Sequence, residues 1–288
     1  MPTALVTDST AYLSPDRVAE HGIGVVPLHV VVGGTEHREG VDIGSAEVAD
    51  ALRAFRPVST SRPSPQAFLE VYRQLAEGGA DAIVSVHISA DMSSTIGSAQ
   101  LAAQQSPVPV TVVDSRTMGM AMGYAVLAGA QAAAGGASAE EVAALVAARC
   151  EASTVVFYVD TLEHLRRGGR IGKASALLGS ALAIKPILGL SDGAIVPLER
   201  VRTSSKAIAR LEELAVAAAG GAEGADRVEV DVAVHHLDSS DRAEKLAERL
   251  RSRIDHLGEL EVVELGAVVG AHVGPGTLAV AVCPRVGG

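Results

Sequence analysis

Ser89-Ala90-Asp91-Met92-Ser93-Ser94-Thr95-Ile96-Gly97-Ser98-Ala99 follows the apolar run Asp81-Ala82-Ile83-Val84-Ser85-Val86-His87-Ile88 and precedes Ala99-Gln100-Leu101-Ala102-Ala103-Gln104. The apolar run reads as a buried strand and the alanine-rich segment as a helix. A strand therefore ends, a hydroxyl-rich loop crosses its carboxyl end, and a helix begins. In open α/β sheets ligands sit outside the carboxyl ends of the strands. A helix N-terminus offers unpaired N–H groups and partial positive charge. With Ser and Thr hydroxyls added, the loop is a candidate cradle for a carboxylate or phosphate. On this segment alone capping is the leading reading, because Ser and Thr cap helices everywhere.

Outward from that loop the pattern repeats. Ala4-Leu5-Val6-Thr7 reads as a strand entering Asp8-Ser9-Thr10, and Val110-Thr111-Val112-Val113 as a strand entering Asp114-Ser115. Val25 to Val32 is a further apolar run, and Ser45 caps a helix to about Phe55. Val58-Ser59-Thr60-Ser61-Arg62-Pro63-Ser64-Pro65 reads as an ordered loop. Helices are expected over Gln66 to Glu77, Gly119 to Ala134 and Ala139 to Glu151. This β-α-β-α alternation indicates an open, mainly parallel sheet with flanking helices. The three hydroxyl loops at Asp8-Ser9-Thr10, Thr60-Ser61 and Asp114-Ser115 are expected to gather on one rim, which favours a binding site over capping alone.

Beyond Thr154-Val155-Val156-Phe157-Tyr158-Val159 the texture changes. Leu165 to Lys173 is a basic, glycine-rich patch read as flexible and exposed. Ala183 to Leu190 and Ala194 to Val201 read as a hairpin around Ser191-Asp192-Gly193. A helix capped by Thr203 or Ser204 runs to about Ala219, and Gly220 to Gly224 reads as a loop. Val228 to Val234 alternates, so one face is expected to meet solvent. A charged helix over Ser240 to Leu257 and strands at Glu259 to Leu265 and Thr277 to Cys283 complete the chain, with Gly266 to Gly276 as the loop between them. The fold class is α/β with two domains. Residues 1–156 form an N-terminal domain with a mainly parallel open sheet, and residues 157–288 a C-terminal α+β domain with a hairpin-paired sheet.

Of 288 residues 48% are hydrophobic, with no Trp, three Phe and four Tyr, so the core is aliphatic. A net charge of −10 argues against nucleic acid or an anionic membrane surface as partner. Cys150 and Cys283 are isolated thiols, as in a reduced compartment. Met1 to Asp8 lacks the features of a signal peptide, and no apolar stretch has transmembrane length. A cytoplasmic protein without stable membrane insertion is expected.

Gly189-Leu190-Ser191-Asp192-Gly193 matches G-x-S-x-G, but a strand follows where a nucleophile elbow needs a helix. Gly168-Gly169-Arg170-Ile171-Gly172-Lys173-Ala174 departs from a P-loop in spacing and lacks the Ser or Thr after Lys. His235 and His236 point to opposite faces of a strand and suggest no metal site. His272, among glycines and before Gly274-Pro275-Gly276, either donates into a pocket or is satisfied by backbone carbonyls.

Together, Asp8-Ser9-Thr10-Ala11, Thr60-Ser61-Arg62-Pro63-Ser64, Ser93-Ser94-Thr95 with Ser98-Ala99, Gly168-Gly169-Arg170-Ile171, Val201-Arg202-Thr203 and His272-Val273-Gly274-Pro275-Gly276 resemble the DegV family of bacterial fatty acid-binding proteins, in order and across essentially the whole chain. Three positions depart from the usual pattern: Ser94 in place of Gly, Arg62 in place of Gln, and Ala271 in place of a bulkier residue or Pro. The resemblance implies one long-chain fatty acid in a buried tunnel between the domains. It places the carboxylate at Thr60, Ser93 and His272, with Ser61 and Ser94 in the same ligand site. It also implies presentation of the acid to a separate ATP-dependent fatty acid kinase, with Arg170 and Arg202 matching docking arginines. No cofactor, no metal and no catalytic residue of the chain's own are expected. The alternatives are a serine-dependent acyl hydrolase or acyltransferase using Ser93, His272 and an Asp such as Asp8, and a lipid-sensing regulatory module.

Overall fold

The computed structural model describes residues 2–177, 184–220 and 228–287. In chain order the first half runs β1 (Thr3–Asp8), α1 (Pro15–Glu20), β2 (Gly24–Val26), β3 (His29–Val32), β4 (Thr35–Arg38), α2 (Ser45–Arg53), β5 (Val58–Ser61), α3 (Pro65–Glu77), β6 (Ala82–His87), α4 (Thr95–Ala103), β7 (Val110–Asp114), α5 (Met120–Ala134) and α6 (Ala139–Ala152). The second half runs β8 (Thr154–Tyr158), α7 (Glu163–Arg167), β9 (Lys185–Ser191), β10 (Ala194–Val201), α8 (Ser204–Ala219), β11 (Val230–His236), α9 (Ser240–Arg253), β12 (Leu257–Glu264), α10 (Ala267–Val273) and β13 (Leu278–Pro284).

The chain is an α/β protein. Strands β2-β1-β6-β7 form a parallel sheet, and β10-β9-β8-β13-β11-β12 form a second, mixed sheet in which only β11 and β12 pair in parallel. A small antiparallel sheet, β4-β3-β5, stands apart from both. Helices α5 and α6 lie between the two large sheets. Met120 to Ala130 is buried without a break, and its small side chains pack with Leu5, Val84 and Val86 of one sheet and Ala233 and Ala281 of the other. A helix apolar on every side requires such burial on every side. The Tyr124 hydroxyl donates to Val232 O at 3.0 Å, tying α5 to β11.

Several local readings are corrected. The run from Val25 to Val32 is two strands in two sheets, because Pro27 cannot donate to a ladder. Thr60 and Ser61 end strand β5 and are not in a loop. The N-cap of α2 is Gly44, so Ser45 is its first helical residue. Strand β11 is buried at every position, since β12 and β13 pair its edges while α5 covers one face and α9 the other. The segment after Gly266 is the helix α10. Leu165 is fully buried on α7, and residues 172–177 form a 3-10 helix, so the basic patch is anchored. The hairpin of β9 and β10 turns at Asp192-Gly193; its expected start at Ala183 and the loop after Gly220 lie outside the described residues. A cut between residues 156 and 157 runs through β8, all of which belongs to the mixed sheet.

Candidate functional site

A cavity of about 200 Å³ opens where the small sheet, the loop after β6, the turn after α7 and helix α10 meet. Its polar side carries Thr60, Ser61, Ser93, Ser94 and His272, and Arg62 and Arg170 also line it. Its apolar side includes Ile88, Met92, Met118, Leu165 and Val269. A second cavity of about 40 Å³, bounded by Phe157, Val155 and Leu190 among others, shares Met118, Ile195, Val269 and Val273 with the first. The two are neighbours across those four side chains, and Thr60, Ser61, Ser93, Ser94 and His272 line the first alone.

Each polar group is set by its element. Strand β6 carries the chain to the Ser89–Ser94 loop, where Met92 N and Ser93 N both donate to Ser89 O at 3.0 Å. Ser94 is the N-cap residue of α4, yet its side chain makes no capping bond. Its hydroxyl is therefore not consumed by the role that the sequence favoured for it. Ser93 Oγ and Thr95 Oγ1 share a hydrogen bond of 2.8 Å. Ser61 Oγ donates to Glu36 Oε1 at 2.8 Å. Thr60 Oγ1 lies 2.8 Å from His272 Nε2, joining the first third of the chain to its last turn of helix.

His272 is nearly buried, and its Nδ1 has no hydrogen-bond partner among the described residues. Desolvation, with the Arg170 guanidinium nearby, pushes its ionisation down to about 4, so the ring is neutral at neutral pH. Gly168 is what admits the ring: a β-carbon there would overlap Nδ1. Arg170 is half-buried, donating from Nε to Met92 O at 3.0 Å and from Nη1 to Gly168 O at 2.8 Å. It thus pins the hydroxyl loop to the turn carrying Gly168. Arg202 is exposed between β10 and α8 and does not line this cavity.

The expected rim of hydroxyl loops assembles only in part. Thr60 and Ser61 meet the Ser93 loop, but Asp8 and Thr10 are fully buried in bonds of their own. Asp8 Oδ1 accepts from Thr10 N, and Oδ2 accepts from Ile88 N at 3.0 Å and lies 3.1 Å from His87 Nδ1. His87 Nε2 continues to Ser85 Oγ at 2.7 Å, and Ser85 to the Tyr72 hydroxyl at 2.8 Å. Asp114 and Ser115 face a different cavity with Asp192 and Gly193. Asp8 is thus bonded to His87, and not to His272, which counts against a Ser93–His272–Asp8 triad. Met92, Met118 and Glu39 were not singled out by the sequence. The two methionines follow or precede hydroxyl positions in loops, a weak sign of an apolar wall beside a polar one. Among the described residues no group of three or more His, Cys, Asp or Glu is arranged to hold a metal ion, and no helix is long and apolar enough to cross a membrane.

Residues 2–285 match the family profile described as "Uncharacterised protein, DegV family". A DegV domain-containing protein of Streptomyces coelicolor is 53% identical over 282 residues, covering 98% of each chain. Among solved structures, a DegV family protein from Thermus thermophilus, described for its fatty acid binding, superposes with a TM-score of 0.91 at 36% identity, over 99% of this chain and 100% of that one. DegV from Bacillus subtilis, described as a fatty acid-binding protein, gives 0.89 at 32% identity over 99% of each chain.

Proposed function

The chain belongs to the DegV family, and on that premise we propose that it binds one long-chain fatty acid, carboxylate at Thr60, Ser93 and His272 and acyl chain in the adjoining aliphatic cavity. The observation that carries this reading is the paired cavity itself, hydroxyls and an imidazole lining the first alone and Met118, Ile195, Val269 and Val273 shared between the two. Burying a bare carboxylate is very costly unless hydrogen bonds replace its water. Hydroxyls supply donors, and a neutral imidazole orients one of them, without burying a full positive charge. With Nδ1 turned against Gly168, Nε2 is the nitrogen that faces Thr60. Donation from Nε2 to Thr60 Oγ1 leaves the threonine proton for the ligand. Each methylene of the chain then contributes about 0.8 kcal/mol on burial. Ser61 and Ser94 line the same polar end, with Ser94 where a glycine is usual.

The protein acts as a cytoplasmic carrier and presents its acid to an ATP-dependent fatty acid kinase; it is not itself the catalyst. Arg170 at the mouth and exposed Arg202 are the docking positions in this reading. The chain divides just ahead of Thr154, with the ligand held between the halves. Two features favour a carrier over a serine hydrolase: Ser93 bonds Thr95, and His272 Nδ1 has no acid among the described residues to orient it. Native mass spectrometry of the purified protein, with extraction of its ligand, tests the proposal. One fatty acid per chain is expected, and His272→Ala is expected to lose it. Empty protein that ignores oleate and palmitate in titrations overturns it.

A further inference from the structure

We infer that Ser9 and Glu39, which do not line the fatty acid cavity, are positioning residues that hold helix α10 so that His272 meets Thr60. The inference rests on the carboxylate site proposed above and extends it one layer outward. It begins with the length of α10. Seven residues are too few for a helix to persist on its own propensity. Its N-cap is Gly266, which has no side chain to cap the first amides. The missing acceptor comes from far along the chain: Glu39 Oε1 accepts from Val268 N at 2.8 Å. His272 follows Val268 by four residues, one turn or about 6 Å along the axis.

Both ends of α10 are therefore gripped by the same small unit. Thr60 is the penultimate residue of β5, and Glu39 directly follows β4, which joins β5 through β3. Leu28 and Val30 of that unit pack on Ala267, Val268 and Ala271. Ser9 locks the carboxylate in place, donating to Glu39 Oε2 while accepting from Leu28 N at 3.0 Å. Gly266 leaves the space: a β-carbon there would overlap Glu39 Oε1. Leu28 also lines the cavity, so this one serine hydroxyl touches the frame of both walls.

The carboxylate is 5% exposed. Burial raises its ionisation to about 7, against the lowering effect of the Ser9 and Val268 hydrogen bonds. The Asp8 carboxylate adds a smaller upward push. Tyr12, on the turn after β1, is half-buried with its hydroxyl inward, and desolvation holds it neutral well above its ordinary range. In the small sheet His29 pairs with Glu36, and His37 and Arg38 with Asp42. Helix α10 presents its N-terminal amides, whose partial positive charge favours an anion. Burial outweighs these attractions, so the docked arrangement favours the protonated acid, which still accepts from Val268 N, and ionisation above about pH 7 weakens the hold.

The test compares wild type, Glu39→Gln and Ser9→Ala by titration with oleate at about pH 6 and about pH 8. A group ionising near 7 is only about one-tenth charged at pH 6. Wild-type affinity is expected to fall up to about tenfold more from pH 6 to pH 8 than affinity of the Glu39→Gln protein, whose side chain stays neutral throughout. Titration of the ligand and of the surface histidines is common to both and cancels. Ser9→Ala removes a bond that keeps the ionisation down, so its step moves to higher pH. In ligand-free protein, NMR is expected to show the Val268 amide and the His272 ring shifting together with a midpoint near pH 7, although His272 itself ionises near 4. Loss of both shifts in Glu39→Gln supports the inference. A wild-type profile that superimposes on that of Glu39→Gln, or a His272 ring that stays still while Val268 titrates, overturns it. Absence of oleate binding with the coupled shifts intact overturns the fatty acid reading and leaves the positioning role standing.

Discussion

Two loops with nearly the same chemistry leave the parallel sheet at neighbouring strand ends. Asp8 ends β1 and Ser9-Thr10 follow it, and Ser89 to Ser94 come after the adjacent β6. The first is consumed by the protein. Asp8 takes bonds from Thr10 N, Thr10 Oγ1, Ile88 N and His87, and Ser9 serves Leu28 and Glu39. The second is used only at its root, where Ser89 Oγ donates to Gly193 O and accepts from Asp91 N; its tip is left open, with Ser93 sharing one bond with Thr95 and Ser94 making no cap. A hydroxyl-rich loop is thus a ligand site only to the extent that its own fold does not use it. The first loop organises the second: Asp8 fixes the strand end from which the Ser93 loop departs, through Ile88 N and His87.

The largest expected effect tests that dependence. Asp8→Ala removes the acceptor for four buried donor contacts at once. Leaving such a set uncompensated costs about 3–5 kcal/mol. Denaturant unfolding is expected to show a loss of that size. A loss under about 1 kcal/mol contradicts the division between a structural loop and an open one.

The same contrast appears among the histidines. His87 is bonded at both ring nitrogens, to Asp8 and to Ser85. His272 and His235 each keep a buried Nδ1 without a hydrogen-bond partner among the described residues, and burial pushes both down to about 4. In the unfolded chain these rings ionise near 6.5. Between about pH 6.5 and 4 the unfolded state therefore binds more protons than the folded state, and stability falls as pH falls. Stability is fully present above about 6.5, and each ring removes about 3 kcal/mol by about pH 4. His235→Gln is expected to flatten that part of the profile when unfolding is followed at about pH 7 and about pH 4.5. A variant as acid-sensitive as wild type breaks the assignment.

How much of this was readable from the residues depends on the range of the forces involved. Strand β6, its loop and α4 follow from local pattern, as do the two sheets and the β9–β10 hairpin. Thr60 and His272 were legible as residues but not as conformations. Thr60 sits at a strand end because β3 pairs with it, which prolines on its far side conceal. His272 ends a seven-residue helix that glycines at both ends made look like a loop. Glu39 was not legible at all. An acid in a turn looks solvated in sequence, and only the approach of Gly266 and Val268, more than two hundred residues away, buries it.

The smallest expected effect separates the two loops most directly. Ser93→Ala removes a half-buried hydroxyl whose one bond among the described residues is to Thr95. Stability is expected to change by no more than about 0.5 kcal/mol, as at surface positions without a named mechanism. Its effect belongs to the ligand. One hydrogen bond to a carboxylate contributes about 1.5 kcal/mol, roughly a tenfold loss in fatty acid affinity. Thr10→Ala is the matched control at the consumed loop, where Oγ1 donates to Asp8 in a fully buried site. It is expected to destabilise by about 1 kcal/mol or more, with affinity changed less than by Ser93→Ala. Unfolding curves and oleate titrations on the two variants give four numbers. If Ser93→Ala destabilises as much as Thr10→Ala and binds oleate like wild type, both loops are structural and the cavity between them needs another occupant.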